Sequence, residues 1–218
     1  MPLLEAVSRR IDLNADLGEG FRFDEALLGV VSSANVSTGV YTSRPEAVRE
    51  TLRFLADTEV RCGVHPGYHD VAGFGRRRGY EPKLDKLSEQ LTKQLDAFLD
   101  ACEQIGVRCS YLKPHGALYH DVADNASIAA LLGNLCRRHS LPLLHQAAST
   151  LEAFLPRELL FSEGFAERHY LPSGRLAARE ADQPSSIASP RKAADQALLL
   201  ARGAMQGVRP TCSVPDRK

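Results

Sequence analysis

The sequence predicts an α/β protein with a mainly parallel sheet, because two kinds of segment alternate along nearly the whole chain. Segments with a period of two, or with a short apolar run, indicate strands, and segments with apolar residues at three- and four-residue steps indicate helices. This alternation is typical of βα units joined by right-handed crossovers. About six strands are recognisable, and both an open doubly wound sheet and a closed barrel accommodate them.

The first strand, predicted at 11–17, shows the clearest alternation. Apolar residues alternate with Asp12, Asn14 and Asp16, and Gly18-Glu19-Gly20 ends the strand. One strand face is therefore apolar, and the other carries two carboxylates and an amide. Further strands are predicted at 30–36, 59–64, 107–112, 142–145 and 159–162.

The clearest helix is predicted at 84–105, where the apolar residues form one stripe and Gly106 follows as a stop signal. Asp124 and Asn125 are candidate N-caps for a helix at 128–138. The remaining predicted helices are 45–57, 151–155 and 193–205, with a loop at 179–191.

Length and composition bound the class of protein. The 218 residues suit one domain spanning 1–218, with a disordered tail predicted at 206–218. Lys+Arg and Asp+Glu are both 27, so neither a nucleic-acid partner nor an anionic membrane is indicated. We expect no membrane span and no signal peptide. The five cysteines form no C-x-x-C pair, which favours reduced thiols and a cytoplasmic protein.

Charged and imidazole side chains follow the predicted strands. His65-Pro66-Gly67-Tyr68 and Lys113-Pro114-His115-Gly116 form similar corners at two strand ends. Ligands of parallel βα proteins bind at that edge of the sheet, so we predict a site there that suits acid–base chemistry or a divalent metal. Neither a P-loop nor a dinucleotide-type glycine motif is present. The candidates are Asn14, Asp16, Glu19, Asn35, His65, Tyr68, Arg76, Lys113, His115, Glu163 and Arg168.

Five motifs in this chain resemble the LamB/YcsF family, the A subunits of 5-oxoprolinase, in the same order along the sequence. They span roughly residues 10 to 205. The motifs are Asp12-Leu13-Asn14-Ala15-Asp16-Leu17-Gly18-Glu19-Gly20, Ser33-Ala34-Asn35, His65-Pro66-Gly67-Tyr68 with Asp70 and Gly73-Phe74-Gly75-Arg76-Arg77, Lys113-Pro114-His115-Gly116-Ala117-Leu118-Tyr119, and Glu163-Gly164-Phe165-Ala166-Glu167-Arg168 with Tyr170.

The resemblance implies a seven-stranded, TIM-like (β/α) barrel related to the glycoside hydrolase and deacetylase barrels. It also implies a lactam-utilization hydrolase that opens 5-oxoproline to glutamate with ATP, together with partner subunits B and C. Asp16, His65 or His115 is then expected to act as the base, and Lys113 to bind the substrate carboxylate or the developing oxyanion. The other candidates are assigned to substrate binding.

The chain departs from the family pattern after Ser33-Ala34-Asn35. Thr38 stands where the family has cysteine, Tyr41 where it has histidine, and Arg44 where it has aspartate. A tyrosine is not a base near neutral pH at its ordinary pKa. The family's C-terminal valine–histidine–glycine–aspartate segment has no counterpart at 211–215.

Three functions fit these residues. The first is that of a 5-oxoprolinase A subunit. The second is a degenerate paralogue with a binding or regulatory role, which the changed residues favour. The third is a metal-dependent hydrolase of the deacetylase kind, with Asp16, His65 and His115 as metal ligands.

Overall fold

The structure is a computed structural model that describes residues 11–77, 83–146, 149–177 and 185–205. Outside these residues lie the predicted tail at 206–218, the C-terminal departure at 211–215 and positions 179–184 of the predicted loop. The strands are β1 Asn14–Leu17, β2 Ser33–Ser37, β3 Arg61–His65, β4 Cys109–Leu112, β5 Leu143–Gln146 and β6 Leu160–Glu163. The helices are α1 Asp24–Leu28, α2 Ala47–Ala56, α3 Leu84–Ile105, α4 Gly116–Asp124, α5 Ala126–His139 and α6 Pro190–Ala201, with 3₁₀ turns at Thr150–Ala153 and Arg157–Leu159.

The strands form one parallel sheet in the order β1-β2-β3-β4-β5-β6. A doubly wound sheet reverses its strand order partway, whereas this order follows the chain without reversal. The sheet curls into a half-barrel, which agrees with the TIM-like prediction. Six strands lie within the described residues, so the count of seven stays a prediction.

Two helices were not predicted from the sequence. Helix α1 has only five residues, too few for a visible periodicity. Helix α4 begins at Gly116, inside the Lys113-Pro114-His115-Gly116 corner, where proline and glycine indicate a turn. Helix α6 begins at Pro190 rather than 193, because Ser189 caps it and proline suits the first turn.

The local signals for the other helices are confirmed. Gly106 ends helix α3 in the left-handed conformation, with φ of 84°. The side chain of Asn125 accepts hydrogen bonds from the amides of Ser127 and Ile128, which caps α5. Within the described residues, no helix is both long enough and apolar enough to cross a membrane.

The two faces of the sheet differ in polarity. The convex face packs its apolar residues, such as Leu17 and Val64, against the helices in one continuous core. The concave face carries buried polar side chains, including Asn35, His65 and Lys113. Because successive side chains of a strand point to opposite faces, the alternation in β1 places Asn14 and Asp16 together on the concave side.

Candidate functional site

A row of neighbouring residues crosses the concave face of the sheet. Register pairs Asp16 of β1 with Asn35 of β2, Asn35 with Gly63 of β3, and Gly63 with Tyr111 of β4. A Cβ atom on Gly63 would lie 2.2 Å from the Tyr111 ring, so glycine leaves the space in which the ring lies. Tyr111 thereby reaches across β3 and donates a hydrogen bond of 2.8 Å to Asn35 Oδ1.

Asn35 links Tyr111 to two residues of β1. Its side-chain amide donates hydrogen bonds to Asn14 Oδ1 at 2.6 Å and to Asp16 Oδ1 at 2.8 Å. Asn35 and Tyr111 are both fully buried. The Asp16 carboxylate is therefore held by partners whose own positions are fixed by the sheet.

Lys113 follows β4 and forms an ion cluster with Asp16 and Glu163. Its ammonium lies 3.1 Å from Asp16 Oδ1 and 3.1 Å from Glu163 Oε2, and it donates to Asn14 Oδ1 at 3.3 Å. These three contacts match the three hydrogens of an ammonium group. Lys113 therefore has no donor to spare for a substrate carboxylate unless it gives up one of these partners, which refines the role expected from the sequence.

The two carboxylates of the ion cluster differ in acidity. Burial disfavours the Asp16 carboxylate, but attraction to His65 and Lys113 outweighs it and holds the pKa of Asp16 well below its usual value. Burial raises the pKa of Glu163, and Lys113 offsets only part of that increase. Burial opposes the charge on Lys113, yet Asp16 and Glu163 raise its pKa. Neighbouring carboxyls with opposite shifts are typical of acid–base sites.

His65, His115 and Glu19 form a second group on the same rim, which we call the imidazole cluster. His65 Nε2 lies 3.0 Å from His115 Nδ1, and the two rings are edge-on. Glu19 Oε1 lies 3.2 Å from His115 Nδ1 and 3.9 Å from His65 Nε2. All three side chains are almost fully buried.

The outer nitrogen of each imidazole faces a main-chain carbonyl. His65 Nδ1 lies 2.7 Å from the oxygen of Lys113, and His115 Nε2 lies 2.9 Å from the oxygen of Phe74. A carbonyl only accepts, so each outer nitrogen carries a proton and each inner nitrogen of a neutral ring presents a lone pair. Burial lowers the pKa of His115, against the pull of Glu19, which favours this neutral form.

Tyr41, the residue that departs from the family histidine, fits tightly beside the imidazole cluster. Its ring stacks on His115 with centroids 3.8 Å apart and planes 2° from parallel, and its hydroxyl donates to the His65 carbonyl at 2.9 Å. Burial and the charge of Glu19 raise the pKa of Tyr41 well above its usual value, so the phenol stays protonated. Tyr41 therefore orients His115 and does not act as a base.

The other two departures lie away from both clusters. Thr38 donates to the side chain of Gln94 on helix α3 at 2.7 Å. Arg44 is half exposed and pairs with Glu46 and Glu50 at the surface. Neither change removes a side chain from the concave face.

A cavity of about 740 Å³ opens above the two clusters. Asp16, Lys113, His65 and His115 line it, so the four catalytic candidates face one space. Its wall also carries three arginines, Arg76, Arg168 and Arg175. The volume lies within the range of small-molecule sites, and the cations favour an anionic ligand.

The remaining predicted residues take different positions. Asn14, Glu19, Asn35 and Glu163 contact the catalytic candidates from behind rather than lining the cavity. Arg168 lines it and also donates to two main-chain carbonyls, at Ser185 and Ala177. Tyr68 points into the core, where its hydroxyl donates to Asp121 at 2.8 Å.

Three residues of the site were not predicted from the sequence: Tyr111, Gly63 and Arg175. Tyr111 resembles an ordinary apolar strand residue, and only its strand position opposite a glycine could have drawn attention to it. Arg175 lies beyond the last motif and is brought to the cavity by the loop that follows β6.

Comparison with known proteins agrees with this fold. The profile of the LamB/YcsF family matches residues 11–210. The chain belongs to the LamB/YcsF family. It is 36% identical to the 5-oxoprolinase A subunit of Haemophilus influenzae (strain PittEE) over 195 residues, which is 88% of this chain and 78% of that protein.

Two further relatives of this LamB/YcsF member are informative. The 5-oxoprolinase A subunit of Mycobacterium avium (strain 104) is 37% identical, with 94% of this chain and 85% of that protein covered. The crystal structure of the lactam utilization protein from Thermus thermophilus matches with a TM-score of 0.79 at 31% identity. That match covers 88% of this chain and 80% of the other.

Proposed function

We propose that this protein is the A subunit of a 5-oxoprolinase, which hydrolyses the cyclic amide of 5-oxoproline to glutamate with ATP and partner subunits B and C. The observation that carries the proposal is the meeting of Asp16, Lys113, His65 and His115 at a cavity whose wall holds three arginines. The relatives named for the same 5-oxoprolinase component support this reaction.

The chemistry explains why ATP and partners are needed. A five-membered lactam is a stable amide, and phosphorylation of its carbonyl oxygen gives a better electrophile. Water then adds to that carbon, and the ring carbon–nitrogen bond breaks as the nitrogen takes a proton, which leaves an acyl phosphate. A second water hydrolyses the acyl phosphate and releases glutamate and phosphate. The chain has no sequence motif that cradles phosphates, so we assign ATP use to the partner subunits and expect the complex to work in the cytoplasm.

Asp16 is the best placed proton acceptor for the attacking water. Its side chain is 36% exposed and it lines the cavity, and its pKa keeps it ionised at neutral pH. Lys113 and Asn35 hold Oδ1, so the carboxylate is oriented before the substrate arrives. A positioned base of this kind contributes about 10²- to 10⁴-fold to a rate.

The carboxylate of 5-oxoproline needs a cation that is not already committed. Lys113 is surrounded by three acceptors. Arg76 is exposed on the cavity wall and its guanidinium lies over the Phe74 ring, 4.8 Å from the centroid. Arg76 is therefore our candidate for binding the substrate carboxylate. Arg168 adds positive potential, whereas Arg175 is paired with Asp124.

The test is ATP-dependent glutamate release from 5-oxoproline by the purified chain with subunits B and C. We expect release to require this chain and to fall at least about 100-fold in His115→Asn, because the rim loses an inner ring nitrogen. The matched control is His139→Asn, at the end of helix α5, which should keep wild-type activity.

Two outcomes would count against the proposal. If subunits B and C release glutamate equally well without this chain, the chain does not take part in the reaction. If the chain binds B and C but the complete mixture is inactive, the degenerate paralogue with a binding or regulatory role replaces the proposed function.

A further inference from the structure

We propose that His65, His115 and Glu19 bind a divalent metal ion through His65 Nε2, His115 Nδ1 and Glu19 Oε1. Each of these side chains offers one ligand atom, and the three atoms lie within 4.8 Å of one another. The inference concerns the site of the proposed function, but the binding itself does not depend on the reaction.

The arrangement of the two imidazoles favours a cation between them. Both outer nitrogens are committed as donors to main-chain carbonyls, so in the neutral form of both rings the inner nitrogens, 3.0 Å apart, present two lone pairs to each other. Two lone pairs at this distance repel unless a metal ion or a shared proton lies between them, and the metal ion is the one that also accounts for Glu19. Outer-nitrogen hydrogen bonds to carbonyls are also what orients histidines that bind metals.

The surroundings of Glu19 also favour a metal ion at this position. Its side chain is 4% exposed, and among the described residues Oε1 has no hydrogen-bond partner. A buried carboxylate oxygen without a partner is costly, and a cation at the imidazole pair would remove that cost. A metal ion would bring together three acceptors that the protein otherwise leaves facing one another.

The geometry favours Glu19 as the carboxylate ligand, whereas the sequence led us to expect Asp16 as a metal ligand. Asp16 Oδ2 lies 3.4 Å from His65 Nε2, but in the described part of the chain Glu19 completes the group of mutually close ligand atoms. Asp16 Oδ1 is taken by Lys113 and Asn35. We therefore assign Glu19 to the metal and leave Asp16 beside it.

Two nitrogens and one oxygen suit zinc, nickel or cobalt better than magnesium or calcium, which prefer oxygen ligands. Nitrogens about 2.0–2.1 Å from a tetrahedral zinc lie about 3.4 Å apart, so the rings would separate by only a few tenths of an ångström. With three protein ligands, a fourth position stays open for water, as in catalytic sites. A metal ion held by these three residues would lower the pKa of a bound water to about 7, which would make hydroxide available beside Asp16 near neutral pH.

The test uses the full chain, freed of metal with a chelator and titrated with Co²⁺ alone, without substrate, ATP or partner subunits. Visible absorption and calorimetry should show one ion per chain. Glu19→Gln should weaken binding at least about tenfold, because it removes a ligand charge. The exposed control Glu46→Gln should bind as the wild type does, and Asp16→Asn should keep one ion per chain.

The proposal is overturned if the wild type binds no stoichiometric Co²⁺, Ni²⁺ or Zn²⁺, in which case a shared proton bridges the two rings. It is also overturned if Glu19→Gln binds like the wild type, or if Asp16→Asn loses the ion and Glu19→Gln keeps it. Should Glu19→Gln fail to fold by circular dichroism, Glu19→Asp, with the charge kept and the reach shortened, should still weaken binding. Because no turnover is measured, failure here leaves the glutamate assay to decide the proposed function separately.

Discussion

The ion cluster and the imidazole cluster occupy the same rim, yet they are built in opposite ways. In the ion cluster, each hydrogen of the Lys113 ammonium has an acceptor, and Asp16 Oδ1 has two donors. In the imidazole cluster, three acceptor atoms face one another, and Glu19 Oε1 has no donor among the described residues. The first group contains its own cation, Lys113, although Glu163 Oε1 also has no hydrogen-bond partner among the described residues. For the second group, the cation is the metal ion that we propose.

This difference separates two tasks that a hydrolytic site must combine. In the ion cluster, Lys113 and Asn35 hold Asp16 Oδ1, so the orientation of the proposed base is fixed before substrate binds. A group of converging acceptors is the place where a bound cation is stabilised most strongly. The contrast can be tested by changing each part and asking whether stability or binding responds.

The largest effect on stability is expected for Lys113→Met. Lys113 and Glu163 are both almost fully buried, so removing the lysine leaves Glu163 and Asp16 without their cation. Breaking a buried ion pair in this way costs about 3–5 kcal/mol. Urea denaturation should show a midpoint shift of that size.

The control for this variant is Lys93→Met, because Lys93 forms an exposed pair with Glu89 on helix α3. Exposed pairs contribute about 1 kcal/mol or less, so its midpoint should hardly move. Adding Glu163→Gln to Lys113→Met should recover part of the loss. If Lys113→Met is as stable as the wild type, the ion cluster is not the balanced unit described above.

A smaller effect on stability is expected for the row of Asn35, Gly63 and Tyr111, which supports the ion cluster. Gly63→Ala would place a Cβ 2.2 Å from the Tyr111 ring, and overpacking of this kind costs about 1–3 kcal/mol. Tyr111→Phe removes the donor to Asn35 Oδ1, which is buried, at a similar cost of about 1–3 kcal/mol. Thermal unfolding of each variant checks both values.

Gly133→Ala on helix α5 is the matched control, since the nearest atoms to its Cβ would lie 3.5 Å away. It should be neutral or slightly stabilising, because alanine favours a helix. If Gly63→Ala is equally harmless, the Tyr111 ring can move aside, and the row does not fix Asp16.

Much of this rim could be predicted from the sequence. The period of two in β1 predicts that Asn14 and Asp16 share a face, and parallel strands bring His65 and the Lys113 corner to the same edge. Position along the chain could not show which acceptor meets which donor. Glu19 lies beside the imidazoles because the turn after β1 carries it there.

The remaining details depend on tertiary contacts. Tyr111 reaches Asn35 only because the intervening residue in the register is Gly63. Tyr41 replaces a histidine and still serves the site, because its ring has the flat shape that stacks on His115. Residue type alone suggested a lost function at that position, whereas the geometry shows a residue that orients an imidazole.

The most direct test of the account is glutamate release by Asp16→Asn, assayed with subunits B and C and compared with the exposed control Asp100→Asn. We predict that Asp16→Asn folds, still binds one Co²⁺ per chain and loses at least about 100-fold in kcat, because the proposed base that accepts the proton of water is gone. Asp100→Asn should match the wild type. Wild-type turnover by a folded Asp16→Asn would contradict the central claim that this rim activates water through Asp16.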